Sequence, residues 1–450
     1  DDEARVTSVA YSYGGGDATW VSPYAAERDD RGTALGKPAR DVDEARRPAT
    51  ETFRYDVRGN IRAKGGDGSF YGRKLPTTTL EPGTDRLIEA VDTGNGRPAR
   101  MDAAYDDAGN LAELVIAPAN ASLEDRQTYR FEWDEAGRLT RAARADRFFV
   151  GGAGLQPDVA ITYGYDGGAQ RVRKSVTDSA GSTEHSLYIF GTLEHRKVLF
   201  DEANSEEFQT NAQTEVLLPG IGRAFYREAS LGGSPDKHAH VFLTLRDHLG
   251  SASVVLDKET SEVTEAITHS ALGQTESDYR PARWAAFRED HRFTGKEEDI
   301  EVGLVYFGFR YYAPSLGRFI SPDPLAVHGL GADLNSYAYV GGRFSASVDA
   351  DGLQEMPTCL LETFFSQGCP SVGGIGSGHS VSSFWSGMGS SATPGAEGWG
   401  GAAGALTMAD RLWLVQCHAF GEAYERTHRG GEWNCILNTA AGPVTWSTFY

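Results

Sequence analysis

Short runs in which apolar and polar residues alternate fill the chain between residues 50 and 175. The clearest is YRFEW at 129–133, where every second side chain is aromatic. A period of two places successive side chains on opposite faces, which is typical of a strand with one buried face. The pattern therefore predicts β-strands in this part of the chain.

An irregular repeat separates these runs. Each unit has an aromatic residue, an Asp, two variable residues, and a Gly followed by Asn or Arg, although the fourth unit matches loosely. Asp and Asn side chains bond to the backbone of a turn and Gly adopts positive φ, so each unit predicts a tight hairpin. Four units in order favour a repeated β-hairpin array over unrelated surface hairpins. The units begin at Tyr55, Tyr105, Trp133 and Tyr165.

The stretch at 293–324, FTGKEEDIEVGLVYFGFRYYAPSLGRFISPDP, has a different pattern. Closely spaced aromatic residues alternate with glycines, which is typical of short strands joined by tight turns. At its end, Pro322 and Pro324 flank Asp323. Since proline fixes φ, this arrangement restricts the backbone on both sides of the carboxylate.

Composition and charge narrow the possible partners. The 450 residues are 40% hydrophobic and carry a formal net charge of −20, which argues against non-specific binding to nucleic acid or anionic membranes. No apolar run is long enough for a membrane helix, and DDEARVTSVA at the start has neither a signal-peptide pattern nor an initial Met. We therefore expect a fragment or a processed chain. All four cysteines fall in the last hundred residues, which marks a change in composition.

The repeat resembles the YD repeats of the Rhs and teneurin families. The stretch at 293–324 is similar, residue for residue, to the Rhs-associated core motif, which also follows the repeats in that family. Upstream, RDHLGS at 246–251 resembles the family's DHLGS element, and NSYAYVG at 335–341 resembles its NLYAYVGNNP element. The resemblance covers residues 50–353.

This resemblance implies a mainly β fold, in which a spiral array of antiparallel hairpins forms part of a hollow shell closed by a core plug. It divides the chain into a shell segment at 1–240, a core at 241–353, and a variable α+β or partly disordered segment at 354–450. A hairpin in such an array cannot bury its face alone. We therefore expect the edge strand within residues 1–50 to pair with a missing N-terminal part of the shell or with another chain.

The resemblance also implies a self-cleavage site. Asp323 and Asp349 correspond to an aspartyl-protease-like dyad, and the family chain is cut after a DPxGL element, here the Leu353–Gln354 bond. Two adjacent carboxylates share a proton, so one activates water while the other protonates the leaving group. Arg318 matches a family arginine that would orient or polarise the site.

Several positions depart from the family pattern. Ala350 replaces a proline, Asp351 replaces a hydrophobic residue, and Ala326 stands where glycine is common. The spacing of 26 residues between the two aspartates is also longer than the pattern. Asp351 could replace a member of the dyad, or its charge could impair the site. Without the resemblance, both aspartates would be interpreted as turn residues.

In the family, the segment after the core is a variable effector. Residues 354–450 contain seven acidic and three basic residues, which disfavours a nuclease that grips phosphate. They contain neither a G-x-S-x-G elbow nor the H-x-E and P-C-x-x-C pair of zinc deaminases. The spacing at 405–425 predicts a helix, and 432–450 predicts one or two strands. No motif indicates the activity of this segment.

Cysteine and histidine leave several alternatives open in the same segment. One is a metal site with a spacing that matches no standard zinc pattern, formed by Cys417, His418, His428 and Cys435. Another is a nucleophilic pair of Cys369 or Cys417 with His379 or His428. The remaining two are free buried thiols and the disulfides Cys359–Cys369 and Cys417–Cys435. No cofactor is predicted.

Two functions are consistent with these observations. The first is a secreted Rhs-type toxin whose shell encloses the C-terminal segment as cargo, cuts it free after Leu353, and is exported by delivery machinery. The second is a secreted or surface YD-repeat protein that binds or adheres and has a non-catalytic tail. The change in composition after Leu353 favours the first, and the absence of a catalytic motif in the tail favours the second.

Overall fold

Antiparallel β-strands form nearly all the regular structure in the computed structural model. It describes residues 1, 3–13, 20–22, 47–66, 75, 77–92, 99–117, 126–146, 157–189, 191–201, 206–208, 212–227, 238–324, 334–353, 355–357, 433–439 and 442–448. The chain forms two compact units, Asp1–Thr358 and Cys359–Tyr450. Among the described residues, none lies in a helix of the length and apolarity needed to cross a membrane.

Three strands precede the main sheet and form a small sheet in the order β1-β2-β3. They are β1 (Ser8–Ala10), β2 (Thr50–Tyr55) and β3 (Ile61–Gly66). β1 pairs only with β2 among the described strands, so it forms the edge of this sheet.

The main sheet is a long antiparallel meander in which nearly every strand pairs with the next one in the chain. The exception is the short β14, which pairs with β13, while β13 also pairs with β15. The strands are β4 (Thr78–Leu80), β5 (Leu87–Asp92), β6 (Ala99–Tyr105), β7 (Leu111–Ala117), β8 (Gln127–Trp133), β9 (Leu139–Ala145), β10 (Val159–Tyr165), β11 (Arg171–Asp178), β12 (Thr183–Tyr188), β13 (Leu193–Asp201), β14 (Glu206–Phe208), β15 (Gln213–Leu218), β16 (Gly222–Arg227), β17 (Ala239–Arg246), β18 (Ala252–Asp257), β19 (Val263–His269) and β20 (Thr275–Tyr279). The predicted array of β-hairpins is confirmed.

The repeat unit forms the turns of this meander. In the second unit, Asp106 Oδ1 accepts the backbone N–H of Asn110 at 2.8 Å, and Gly109 has a φ of +95°. The same Asp-to-backbone bond closes the turns after Asp56, Asp134 and Asp166. The carboxylate satisfies a turn N–H that no strand partner reaches, which explains why the unit needs Asp. Two further turns of this kind, at Asp178 and Asp247, were not predicted from the repeat.

A core segment follows the meander and consists of short strands and 3-10 helices. The helices are Ala282–Trp284, Phe293–Gly295 and Val340–Gly342. One four-stranded sheet contains β21 (Glu297–Asp299), β22 (Leu304–Tyr306), β23 (Tyr311–Ala313) and β24 (Arg318–Phe319). A two-stranded sheet contains β25 (Ser347–Asp349) and β26 (Glu355–Pro357).

The main sheet packs its apolar face against this core segment. Leu111, Phe131 and Ile161 from the meander share one buried cluster with Leu304 and Tyr311 from the core. Burial of such side chains contributes about 1.5–3 kcal/mol each. A second cluster, built largely of rings, contains Phe293, Phe307, Tyr312, Phe319 and Tyr339 of the core, together with Phe53 of β2. The stretch at 293–324 therefore supplies much of the hydrophobic interior of the first unit.

Buried ion pairs also join the meander to the core. Five buried cations on strands β9, β11, β13 and β16 of the meander reach acidic side chains or a carbonyl of the core, and we call this set the ionic belt. It consists of Arg144 with the Glu301 carbonyl, Arg171 with Glu297 and Asp299, Lys174 with Asp299 and Glu301, Arg196 with Asp290 and Glu297, and Arg223 with Glu289.

The second unit contains the hairpin β27 (Trp433–Thr439) and β28 (Gly442–Thr448). These strands confirm the prediction for 432–450. The helix predicted at 405–425 lies outside the described residues.

Candidate self-cleavage site

Residues 350–353 follow β25 and lead towards β26, its partner in a two-stranded hairpin. The ladder pairs Ser347 with Pro357 and ends at the pair Asp349–Glu355. Leu353 therefore lies in a short connection whose two ends are held by the ladder. Gln354, on the other side of the predicted scissile bond, lies outside the described residues.

Asp349 shapes this loop through its side chain. Its Oδ1 accepts the backbone N–H groups of Gly352 at 2.7 Å, Leu353 at 3.1 Å and Asp351 at 3.3 Å. Gly352 has a φ of +87°, and a Cβ there would lie 3.0 Å from the backbone nitrogen of Arg310. Only glycine meets both conditions without strain. Glycine at 352 and the three N–H bonds together keep the loop close to the Asp349 carboxylate.

Arg310 brings the two predicted aspartates together. Its Nη2 lies 3.3 Å from Asp323 Oδ2 and 3.4 Å from Asp349 Oδ2. The guanidinium stacks over Phe319, with Cζ 3.7 Å from the ring centroid, which holds its plane in place. Because one nitrogen contacts both carboxylates, Arg310 is their shared ion-pair partner.

Asp323 is fixed by its backbone as well as by Arg310. Its N–H donates to the Ser336 carbonyl at 2.8 Å, and a proline flanks it on each side. Its side chain is 17% exposed, whereas that of Asp349 is 4% exposed. The two carboxylates therefore differ in their access to water.

Burial shifts the pKa values of Asp349 and Arg310. It raises the pKa of Asp349, and the charge of Arg310 and the N–H bonds from the loop oppose that change only in part. Burial also lowers the pKa of the Arg310 guanidinium, against the opposing effect of both aspartates. Asp349 is therefore the carboxyl that burial favours in its protonated form.

Known proteins match this sequence over about two thirds of its length. The chain is 26% identical over 329 residues to "Toxin subunit YenC2" of Yersinia entomophaga, covering 70% of this chain and 30% of that protein. It is 26% identical over 342 residues to "Probable deoxyribonuclease RhsA" of Dickeya dadantii, covering 69% of this chain and 21% of that protein. The chain is therefore similar in sequence to Rhs-type toxin proteins.

The chain also compares with solved structures and with family models as follows. A solved structure of TcdB2-TccC3 without its hypervariable C-terminal region matches 68% of this chain and 17% of that chain, with a TM-score of 0.42 and 20% identity. No family model matches the sequence. The chain spans less than a third of the length of the two curated relatives.

The Arg318 side chain lies against the segment around residues 60 and 85. Its Nη2 donates to the Asp85 carbonyl at 2.8 Å and to Asn60 Oδ1 at 3.3 Å. It therefore joins a repeat turn to the core, while Arg310 contacts both aspartates. Both arginines lie in the same aromatic stretch, and no local pattern distinguishes them.

Asp351 has a separate role in the loop that carries Leu353. Its Oδ1 accepts the N–H of Leu353 at 3.0 Å, and its carbonyl accepts the N–H of Phe309 at 2.9 Å. The residue is exposed, and these two contacts support the loop rather than replace Asp323 or Asp349 beside Arg310.

The alternatives for the C-terminal segment fall almost entirely outside the described residues. This holds for Cys359, Cys369, His379, Cys417, His418 and His428, while Cys435 is known only as a backbone position of β27. Within the described part of the chain, no group of three or more His, Cys, Asp or Glu side chains could hold a metal ion.

Proposed function

We propose that this chain is the C-terminal part of an Rhs-family toxin that cuts itself after Leu353. The contact of Arg310 with both Asp323 and Asp349, next to the loop that carries Leu353, is the observation that supports this proposal most strongly. The cut separates a shell and core at 1–353 from an effector segment at 354–450.

The proposed reaction is hydrolysis of the Leu353–Gln354 peptide bond. A water molecule attacks the Leu353 carbonyl carbon while Asp323 accepts its proton, and Asp349 protonates the departing nitrogen of Gln354. The C–N bond breaks, which leaves a carboxyl group on Leu353 and an amine on Gln354. Asp323 is the base because its side chain has more access to water, and Asp349 is the acid because burial raises its pKa.

In this proposal, residues 1–240 form the last part of a hollow shell and 241–353 its plug. The shell encloses the effector, and the complete protein is secreted by a delivery machinery. Its partners are the rest of the N-terminal shell or another chain. The position of β1 at the edge of its sheet supports pairing at that end.

Self-cleavage is tested on the purified wild-type chain in a denaturing gel. We expect two fragments, and sequencing of the smaller one should begin at Gln354. Intact mass should show the gain of one water across the two fragments. A single chain of 48.6 kDa that persists after long incubation would contradict the proposal.

The effector role is tested by expressing residues 354–450 inside bacteria. We expect growth arrest, with residues 1–353 expressed at the same level as the control. Healthy growth at good expression would instead support the alternative, a secreted or surface protein that binds or adheres and has a non-catalytic tail. This result would leave the cleavage reaction itself unaffected.

A further inference from the structure

The cleavage loop is held through its carbonyl groups as well as through its N–H groups. Three consecutive carbonyls each accept a hydrogen bond from a different donor. Lys296 Nζ donates to Ala350, the Phe309 N–H donates to Asp351 at 2.9 Å, and Arg310 Nε donates to Gly352. We call these three donors the carbonyl clamp.

All three donors come from one short part of the core. Lys296 lies directly before β21, and Phe309 and Arg310 lie between β22 and β23. These strands pair in the order β21-β22-β23, so their connections place the donors along one side of the loop. The clamp is therefore part of the small core sheet and is independent of the β25–β26 ladder.

A close backbone approach accompanies the clamp. Gly308 has a φ of +114°, and a Cβ at this position would lie 3.0 Å from the Asp351 carbonyl oxygen. A side chain there would push the loop away from the Phe309 N–H. Glycine at 308 thus permits the middle bond of the clamp, just as Gly352 permits the approach to Arg310.

We propose that Lys296 is a positioning residue for self-cleavage. It fixes the Ala350 carbonyl, the first of the three carbonyls that the clamp holds. The clamp thereby holds the loop in the way that an enzyme holds a bound substrate. This inference rests on the proposed function. Reaction within one chain is fast only when the reacting groups are held in the correct geometry. The Asp349 bonds orient the N–H side of the loop, and the carbonyl clamp removes the remaining freedom of its peptide planes.

Lys296 is the member of the clamp that can be tested separately. The Phe309 donor is a backbone group, and Arg310 also contacts both aspartates. Lys296 donates to a carbonyl outside the scissile peptide, with its Nζ 5.8 Å from the Phe307 ring centroid. Replacing it by Met keeps the aliphatic stem and removes only the donor and its charge.

The rate of cleavage is measured by pulse-chase after cell-free synthesis of the full chain. We expect Lys296→Met to slow the appearance of the 354–450 fragment about tenfold or more, the change that loss of a charged donor produces. Lys296→Arg, which keeps a charged donor, should restore most of the rate. Lys258→Met is the matched control, since this lysine is exposed, and it should match the wild type.

A second readout separates this inference from the proposed reaction. In the uncut Asp323→Asn chain, we expect Lys296→Met to raise hydrogen exchange at the Leu353 amide, while exchange in β22 stays the same. Raised exchange together with an uncut wild type would refute the self-cleavage but keep the clamp. Unchanged exchange, a wild-type rate for Lys296→Met, or no rescue by Lys296→Arg would each overturn the positioning role.

Discussion

Replacing Asp323 by Asn should leave the chain in one piece. Asn has nearly the same shape and can still accept a hydrogen bond from Arg310, but it cannot take a proton from water. Loss of a general base slows a reaction by about 10²–10⁴-fold, so cleavage that is complete during expression would become slow or undetectable. The measurement is the fraction of 48.6 kDa chain on a denaturing gel over time.

The same experiment includes variants that separate chemistry from folding. Asp349→Asn should also block cleavage, and it should loosen the loop because Asp349 Oδ1 accepts three of its N–H groups. Arg310→Met should block cleavage by leaving two adjacent carboxylates without their shared cation. Asp107→Asn, in an exposed turn, is the matched control and should be cut normally. Normal cutting of Asp323→Asn would refute its role as the base.

Replacing Arg171 by Met should destabilise the first unit by about 3–5 kcal/mol, the typical cost of leaving buried charges without a partner. Arg171 Nη1 lies 3.0 Å from Asp299 Oδ2, its Nη2 bonds to Glu297, and all three side chains are almost fully buried. Burial opposes ionisation of Glu297, but Arg171 and Arg196 outweigh it and hold its pKa below the usual value. Methionine fills the space but provides no charge.

Denaturant unfolding of the uncut Asp323→Asn chain provides the measurement. The control is Arg130→Met, which removes a cation from the surface pair with Glu113, where the side chains are 53% and 40% exposed. An exposed pair contributes about 0–1 kcal/mol, so this control should change little. Adding Glu297→Gln to Arg171→Met should recover part of the loss. Equal destabilisation by the two Arg variants would show that the ionic belt does not hold the core in place.

The repeat turns and the strands between them were predictable because their causes are local. The Asp106 carboxylate bonds to a backbone group four residues away, and Gly109 supplies the positive φ. Alternation at period two then defines the buried face of each strand. The buried bond between Arg171 and Glu297 spans 126 residues and has no such local signal. From the sequence, the cations of the ionic belt look like ordinary solvent-facing charges.

The candidate site likewise combines features that the sequence predicts with contacts that only the structure shows. The sequence by itself determined the β-hairpin array, the constrained aspartate in SPDP, and the second aspartate through its resemblance to a family motif. Only the tertiary structure decided that Arg310 joins these aspartates, while Arg318 bonds to a repeat turn. Turns and alternation follow from the stereochemistry of neighbouring residues. The partner of a charged side chain depends on which distant strands the fold brings within a few ångströms, and short sequence patterns do not encode that.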